Sequence, residues 1–223
     1  MLKSERRSVD GPAGRIEIAL DWPGHAPVGL AFVGHPHPLY GGALDNKVAA
    51  TLARAFSGLG WLALRPNFRG VGASEGVHDH GAGETDDFVH LVESAPRWLA
   101  DFALADDLPL ALAGFSFGSF VAARAAQRLA ERARAPAHLV LVGAAAGKWD
   151  LPPVPPHTLV IHGERDETIP LADVFDWARP QDLPVTVVPG ADHFFHRRLS
   201  LLKRLVQRHV LAERSIDAVG QTD

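Results

Sequence analysis

Cysteine is absent from this sequence of 223 residues, and methionine and tyrosine occur once each. Without cysteine the chain can form no disulfide, no thiolate metal site and no cysteine nucleophile, so any covalent catalyst must be another residue. No apolar run reaches the roughly 18 residues of a membrane span, and the opening segment MLKSERRSVD lacks the apolar core of a secretory signal. We therefore expect a cytoplasmic protein with no membrane partner.

An excess of positive charge is also missing, because the formal net charge is −4. Such a chain has no general attraction to phosphate backbones, so we expect no nucleic-acid partner. One group of arginines lies at helical spacing, which is typical of a solvated helix face. These arginines are Arg124, Arg128, Arg132 and Arg134.

The apolar fraction of 47% and the charged fraction of 22% are those of a folded globular protein. The length and the lack of a linker predict a single domain over residues 1–223. Residues 1–7 and 215–223 are polar and aperiodic, so we expect both ends to be frayed.

Short apolar strands alternate with amphipathic helices along the chain. This order predicts a mostly parallel, twisted sheet of about seven to eight strands with helices on both faces. The predicted strands are Arg7 to Asp10, Arg15 to Leu20, Val28 to Val33, Trp61 to Leu64, Pro109 to Ala113, His138 to Val142, Thr158 to Ile161 and Pro184 to Val188. The predicted helices are a stripe of Val48, Leu52 and Phe56, then Phe88 to Leu104, Phe117 to Arg132, Leu171 to Trp177 and a closing helix through Leu199, Leu202, Val206 and Val210.

The segment ALAGFSFGSFVAARAA places Ser116 between two glycines, where a predicted strand ends and a predicted helix begins. Gly114 and Gly118 suit a tight turn because they lack a Cβ. The G-x-S-x-G pattern in this context predicts a nucleophile elbow, which exposes a serine Oγ at the end of a helix. Ser116 is therefore the candidate nucleophile.

A serine hydroxyl needs a base, and an imidazole serves if a carboxylate holds its tautomer. Asp166 follows the strand Thr158 to Ile161 and is the preferred acid, with Glu164 and Glu167 as alternatives on the same loop. Asp192 adjoins the histidine in sequence, which makes an orienting contact awkward. His193 follows the last strand and is the preferred base; the alternatives are His196 and His162.

An oxyanion also needs donors, for which backbone N–H groups are well suited. Phe117 supplies one directly after the nucleophile. The loop GHPHPLYGG should supply the second, and His37 is the natural donor because Pro36 and Pro38 have no N–H. Leu39, Tyr40 and Phe194 lie near these positions and are the candidate substrate-binding residues.

With these residues in place, the sequence resembles the α/β-hydrolase superfamily, and most of all its small bacterial serine hydrolases without a lid. The resemblance extends from about Arg15 to Leu211 and rests on GHPHPLYGG, LRPNFRGVGASEG, GETDD, GFSFGS and HGERDETIP. It implies the α/β-hydrolase fold, a triad of Ser116, Asp166 and His193, oxyanion donors at His37 and Phe117, and hydrolysis through an acyl-enzyme. Only Gly143 to His157 separates two strands where many relatives insert a cap, so no cap domain is expected.

Other groupings have simpler explanations than a cofactor. A metal site could be imagined at His35, His37, His78, Asp79 and His80, but the triad accounts for this loop without a metal. The segment NFRGVGASEG matches neither dinucleotide nor P-loop spacing and is interpreted as a turn that lines the pocket. Glu84, Asp86 and Asp87 are interpreted as a helix start. No metal and no cofactor are expected.

The pattern as a whole predicts a hydrolase of carboxylic esters or thioesters with short to medium acyl chains. A peptidase or an acyltransferase could use the same triad, and a binding protein with a vestigial triad is the alternative outside enzymes. The expected partner is a small-molecule ester or thioester. A widely reused fold gives no information on the natural substrate, the pathway or the oligomeric state.

Overall fold

One sheet of eight strands crosses the protein in the order β1-β2-β4-β3-β5-β6-β7-β8. The computed structural model describes residues 3–102, 104–105 and 107–220. The first two strands form an antiparallel hairpin, β2 is antiparallel to β4, and the remaining pairs are parallel. The strands are β1 Lys3–Gly11, β2 Gly14–Trp22, β3 Leu30–Gly34, β4 Leu62–Pro66, β5 Leu110–Phe115, β6 His138–Val142, β7 Leu159–Gly163 and β8 Val185–Val188.

Within the described residues, five α-helices cover both faces of this sheet: α1 Lys47–Ser57, α2 Ala82–Trp98, α3 Phe117–Glu131, α4 Leu171–Ala178 and α5 Leu199–Gly220. Successive side chains of β5 show why both faces are apolar. Leu110 and Leu112 belong to the core cluster that contains residues of α2 and α3, whereas Ala111 and Ala113 belong to the cluster that contains residues of α1 and α5. Alternate residues of one strand therefore enter different cores, as the continuous apolar strands predicted. The mostly parallel sheet with helices on both faces is confirmed.

The second helix differs from its predicted position. It begins at Ala82 rather than Phe88 and ends at Trp98 rather than Leu104, followed by a short 3-10 turn at Ala100–Phe102. The carboxylate of Glu84 explains the early start, because it accepts the N–H of Gly81 and so satisfies a donor that precedes the helix. The interpretation of the acidic cluster as a helix start is therefore correct, and the position predicted from the apolar stripe was wrong.

The structure describes most residues of the two ends that the sequence predicts to be frayed. Residues 3–7 are part of β1 and pair with β2 from Lys3 opposite Trp22 onward, and residues 215–220 continue α5. At the first end, β1 is paired with β2 over its whole length, a non-local pairing that a hydropathy pattern does not reveal. The other residues of those two predicted ends, 1–2 and 221–223, lie outside the described residues.

The loop after β4 is a structural turn whose polar groups are already paired. Arg69 forms two 2.8 Å hydrogen bonds with the carboxylate of Asp87, and both side chains are largely buried. Asn67 accepts the N–H of Leu44 and donates to Glu17. This loop therefore has its basic residue committed to α2.

None of the helices in the described residues has the length and apolarity that crossing a bilayer requires.

Candidate active site

Ser116 lies where β5 ends and α3 begins, in a conformation that non-glycine residues rarely adopt. Its φ of 54° and ψ of −124° lie outside the common regions, and such geometry costs on the order of 1–3 kcal/mol. The turn is held by the Ser116 N–H, which donates to the carbonyl of Val142 at 2.9 Å. Gly114 and Gly118 allow it, because a Cβ on Gly114 would overlap the carbonyl of Gly118. The elbow predicted from the sequence is present.

Three side chains from separate loops meet at this turn. Nε2 of His193 lies 3.1 Å from Oγ of Ser116, and Nδ1 of His193 lies 2.6 Å from Oδ2 of Asp166. An ionised carboxylate only accepts hydrogen bonds, so His193 carries its proton on Nδ1 and leaves Nε2 to accept from the serine hydroxyl. The geometry is that of a nucleophile, a base and an orienting acid in a hydrogen-bonded row.

The carboxylate of Asp166 is fully supplied with donors. Oδ1 accepts the N–H groups of Thr168 and Ile169, and Oδ2 lies 3.4 Å from Nε2 of the buried His162 in addition to its bond with His193. Burial alone would raise the pKa of Asp166, but the hydrogen bonds from His193 and Ile169 outweigh it and hold that pKa below its ordinary value. The acid is therefore kept ionised beside the base.

Most of the alternative acids and bases named from the sequence have other partners, and Glu167 is exposed. Glu164 is exposed and accepts the N–H of Gly190, and Asp192 pairs with His196. His162 donates to the carbonyl of Ile169, and burial lowers its pKa, so it supports the acid loop as a neutral ring. Of these candidates, His193 is the one that contacts Ser116, and Asp166 is the carboxylate that contacts His193.

His37 and Phe117, the expected oxyanion donors, are in contact, with ring centroids 5.0 Å apart. In the part of the chain that the structure describes, no hydrogen bond uses the backbone N–H of either residue. The His37 ring is tied down separately, since its Nδ1 accepts the N–H of Leu39 at 3.2 Å. Burial, with a smaller contribution from His78, lowers the pKa of His37, which favours the neutral ring that this bond requires.

A cleft of about 150 Å³ opens over Ser116 and His193. Tyr40 and Phe194 line it, and they are 87% and 46% exposed. Leu39 is 69% exposed and is not among the described residues that line this cleft. Phe194 also borders two larger clefts of about 590 Å³ each, one beside α1 and one beside the acid loop. The side chain of Phe194 therefore stands where three clefts meet.

Several residues of the site had no clear signal in the sequence. Asn46 and Thr168 line the cleft, although Asn46 is the N-cap of α1 and Thr168 follows the acid. His35 is fully buried rather than a ligand: its Nδ1 donates to the carbonyl of Pro36, and its Nε2 accepts the N–H of Phe68. Within the described residues, no group of three or more histidine, aspartate or glutamate side chains is arranged to hold a metal ion.

Comparisons with known proteins give a consistent set of relatives. A family model described as a thioesterase domain matches residues 78–151. An uncharacterized protein of Rickettsia prowazekii is 30% identical over 221 residues, with 92% of this chain and 88% of that protein covered.

Two solved structures match almost the whole chain. A structure from Xanthomonas campestris, described as an α/β serine hydrolase without a lid, is 37% identical, with 94% of each chain covered and a TM-score of 0.81. An α/β serine hydrolase homologue from Coxiella burnetii is 33% identical, with 93% of this chain and 97% of that chain covered and a TM-score of 0.75.

Proposed function

The chain belongs to the α/β-hydrolase superfamily, among its lidless serine hydrolases, and on this basis we propose that it cleaves carboxylic esters or thioesters of short to medium acyl chains. The observation that carries the proposal is the row of hydrogen bonds from Ser116 through His193 to Asp166. The thioesterase-domain match includes Ser116, which supports thioesters as part of the substrate range. The cytoplasmic location remains a prediction from the sequence.

In the proposed reaction, Oγ of Ser116 attacks the carbonyl carbon of the substrate while its proton moves to Nε2 of His193. The electron pair of the carbonyl moves to its oxygen, and the free N–H groups of His37 and Phe117 are the proposed donors to this oxyanion. When the carbonyl reforms, the bond to the leaving alcohol or thiol breaks, and the leaving group takes the proton from His193. An acyl-enzyme on Ser116 remains.

Water completes the proposed cycle. His193 accepts a proton from water as the water oxygen attacks the acyl carbon, and a second oxyanion forms at the same donors. Collapse of this intermediate releases the carboxylic acid and returns the proton to Oγ of Ser116. Asp166 stays ionised throughout and stabilises the imidazolium that forms in each half-reaction.

A graded panel of esters, thioesters and amides, measured with the wild type and with Ser116→Ala, tests the proposal. We expect turnover of esters and thioesters, slow or absent turnover of amides, and a loss of about 10⁴-fold or more in kcat for Ser116→Ala with the fold retained. Covalent labelling by a fluorophosphonate should require Ser116. Near-wild-type turnover by purified Ser116→Ala would remove this serine from the mechanism, and absence of both labelling and turnover in the wild type would favour a binding protein.

A further inference from the structure

The ring of His78 lies against both residues that carry the proposed oxyanion donors. Its centroid is 4.8 Å from that of His37 and 5.4 Å from that of Phe117, and these two rings are themselves in contact. Each of the three rings therefore packs against the other two, next to the loop that carries His37. A shift of the His78 ring would change how the backbone of the loop after β3 sits relative to the start of α3.

Glu84 holds the His78 ring in place. Its carboxylate is fully buried and accepts Nδ1–H of His78 at 2.7 Å. The N–H groups of Asp79 and Gly81 donate to the same carboxylate at 2.9 and 2.8 Å. A buried carboxylate with three donors is strongly constrained, because the loss of any donor leaves part of its charge without compensation. The first turn of α2 is therefore the anchor of His78.

The surroundings of Nε2, the second ring nitrogen of His78, indicate that the ring interacts with His37 and Phe117 by packing rather than by hydrogen bonding. The side chain is only 6% exposed, and among the described residues no protein group forms a hydrogen bond with its Nε2. Among the described residues, Nδ1 is therefore the side-chain nitrogen of His78 that forms a hydrogen bond. The ring otherwise packs against neighbouring aromatic rings. One edge of the ring is tethered to Glu84, while the ring itself packs against His37 and Phe117.

We propose that His78, anchored by Glu84, is a positioning residue for the oxyanion hole. The proposal rests on the proposed function, since it concerns the transition state of that reaction. The role follows from the demands of oxyanion stabilisation, in which the donors must lie within about 0.5 Å of their productive positions. Loss of one such donor typically costs about 10²- to 10³-fold in kcat. A misplaced donor should cost less than a missing one.

Two substitutions of His78 separate its ring from its tether. His78→Asn keeps an N–H that can reach Glu84 but removes the ring, and we expect kcat to fall about 10- to 100-fold with KM changed less than about 3-fold. His78→Phe keeps a ring but removes the donor to Glu84, and we expect lower stability in urea and a loss of kcat that is clearly smaller than that of His78→Asn. Rates are expressed per active site titrated with a fluorophosphonate, so that unfolded protein does not count.

A transition-state analogue gives a readout that a purely structural role would not change. A trifluoromethyl ketone forms a tetrahedral adduct with serine whose oxygen occupies the oxyanion position. The inhibition constant of this ketone should therefore rise in His78→Asn by the same factor as KM/kcat. His80→Asn is the matched control: His80 contacts the His78 ring but is exposed, and its φ of 48° suits asparagine. We expect this control to stay within about 2-fold of the wild type.

The outcomes are distinct. Unchanged kcat and ketone affinity in His78→Asn would overturn the inference, as would an equal loss of kcat in both His78 variants. Absence of Ser116-dependent turnover in the wild type would overturn the proposed function and this inference with it. Wild-type turnover together with an unaffected His78→Asn enzyme would overturn the inference alone.

Discussion

Gly34, the last residue of β3, packs directly against Gly118 in the first turn of α3. A Cβ on Gly34 would stand 3.1 Å from the Cα of Gly118, and a Cβ on Gly118 would overlap the carbonyl of Gly34. The backbones of β3 and α3 are therefore in direct contact. The contact lies where the loop that carries His37 begins and where the helix after Ser116 begins. Each of these two glycines sets how closely the two halves of the site approach.

Gly118→Ala should accordingly damage both stability and activity. The added methyl meets backbone atoms that cannot rotate away, so we expect the free energy of unfolding to drop by about 3 kcal/mol and kcat to fall with it. Urea denaturation and ester turnover measure the two effects. Gly24→Ala is the control, because nothing lies within 4 Å of its Cβ and only its positive φ adds a cost of about 1–2 kcal/mol. Equal losses in both variants would contradict this account.

Asp166→Asn should lower kcat by roughly 10⁴-fold, because an amide can stabilise the wrong tautomer of His193. Glu164→Gln tests the alternative acid on the same loop and should leave kcat nearly unchanged, since Glu164 contacts Gly190 rather than the base. Steady-state kinetics on one soluble ester decide between them. A large loss in Glu164→Gln with a small one in Asp166→Asn would reverse the assignment.

His35 makes a specific contribution to the pH dependence of stability. Burial lowers its pKa from 6.5 to about 4, although its hydrogen bond with Pro36 acts in the opposite direction. Between these two values the unfolded chain binds a proton that the folded chain does not, so the free energy of unfolding falls as the pH drops. This difference in proton binding lowers the free energy of unfolding by about 3 kcal/mol in total, and the decrease is complete below about pH 4.

Urea denaturation of the wild type and of His35→Gln between pH 7 and pH 4 measures this contribution. Glutamine can still accept the N–H of Phe68 but does not titrate, so the variant should start less stable and lose less on acidification. The difference between the two curves should shrink as the pH falls. Parallel curves would show that His35 does not carry the linkage.

The sequence was most informative about features that require particular residue types at particular positions. Alternating strands and helices predicted the sheet, and the glycines around Ser116 predicted the turn that the structure contains. The apolar stripe placed the start of α2 too late, at Phe88, whereas the acidic residues around Glu84 indicated it correctly, because the helix start depends on the buried carboxylate of Glu84. The packing of His78 against His37 was not foreseeable, since it joins two loops whose approach is fixed only by tertiary structure.

Acyl-chain preference should follow the size of the cleft over Ser116. Each buried methylene adds about 0.8 kcal/mol, but only while there is wall to cover it, and the cleft measures about 150 Å³. We expect kcat/KM to rise from acetate toward hexanoate and then level off, with ordinary saturation kinetics and poor activity on emulsified long-chain triglycerides. A rate that keeps rising to sixteen-carbon chains, or surges when an emulsion forms, would contradict the absence of a lid.

The hairpin at the start of the chain also bears on how copies of this protein coexist in a concentrated solution. As the outermost strand, β1 has one row of backbone groups that no neighbouring strand covers, which is the usual template for cross-strand aggregation. Its side chains oppose this, because Arg6 pairs with Glu17 and Arg7 pairs with Glu5 and Asp101. A second chain adding to this edge would have to break or desolvate those ion pairs. The charged residues of β1 therefore make pairing of this edge with a strand of a second chain unfavourable.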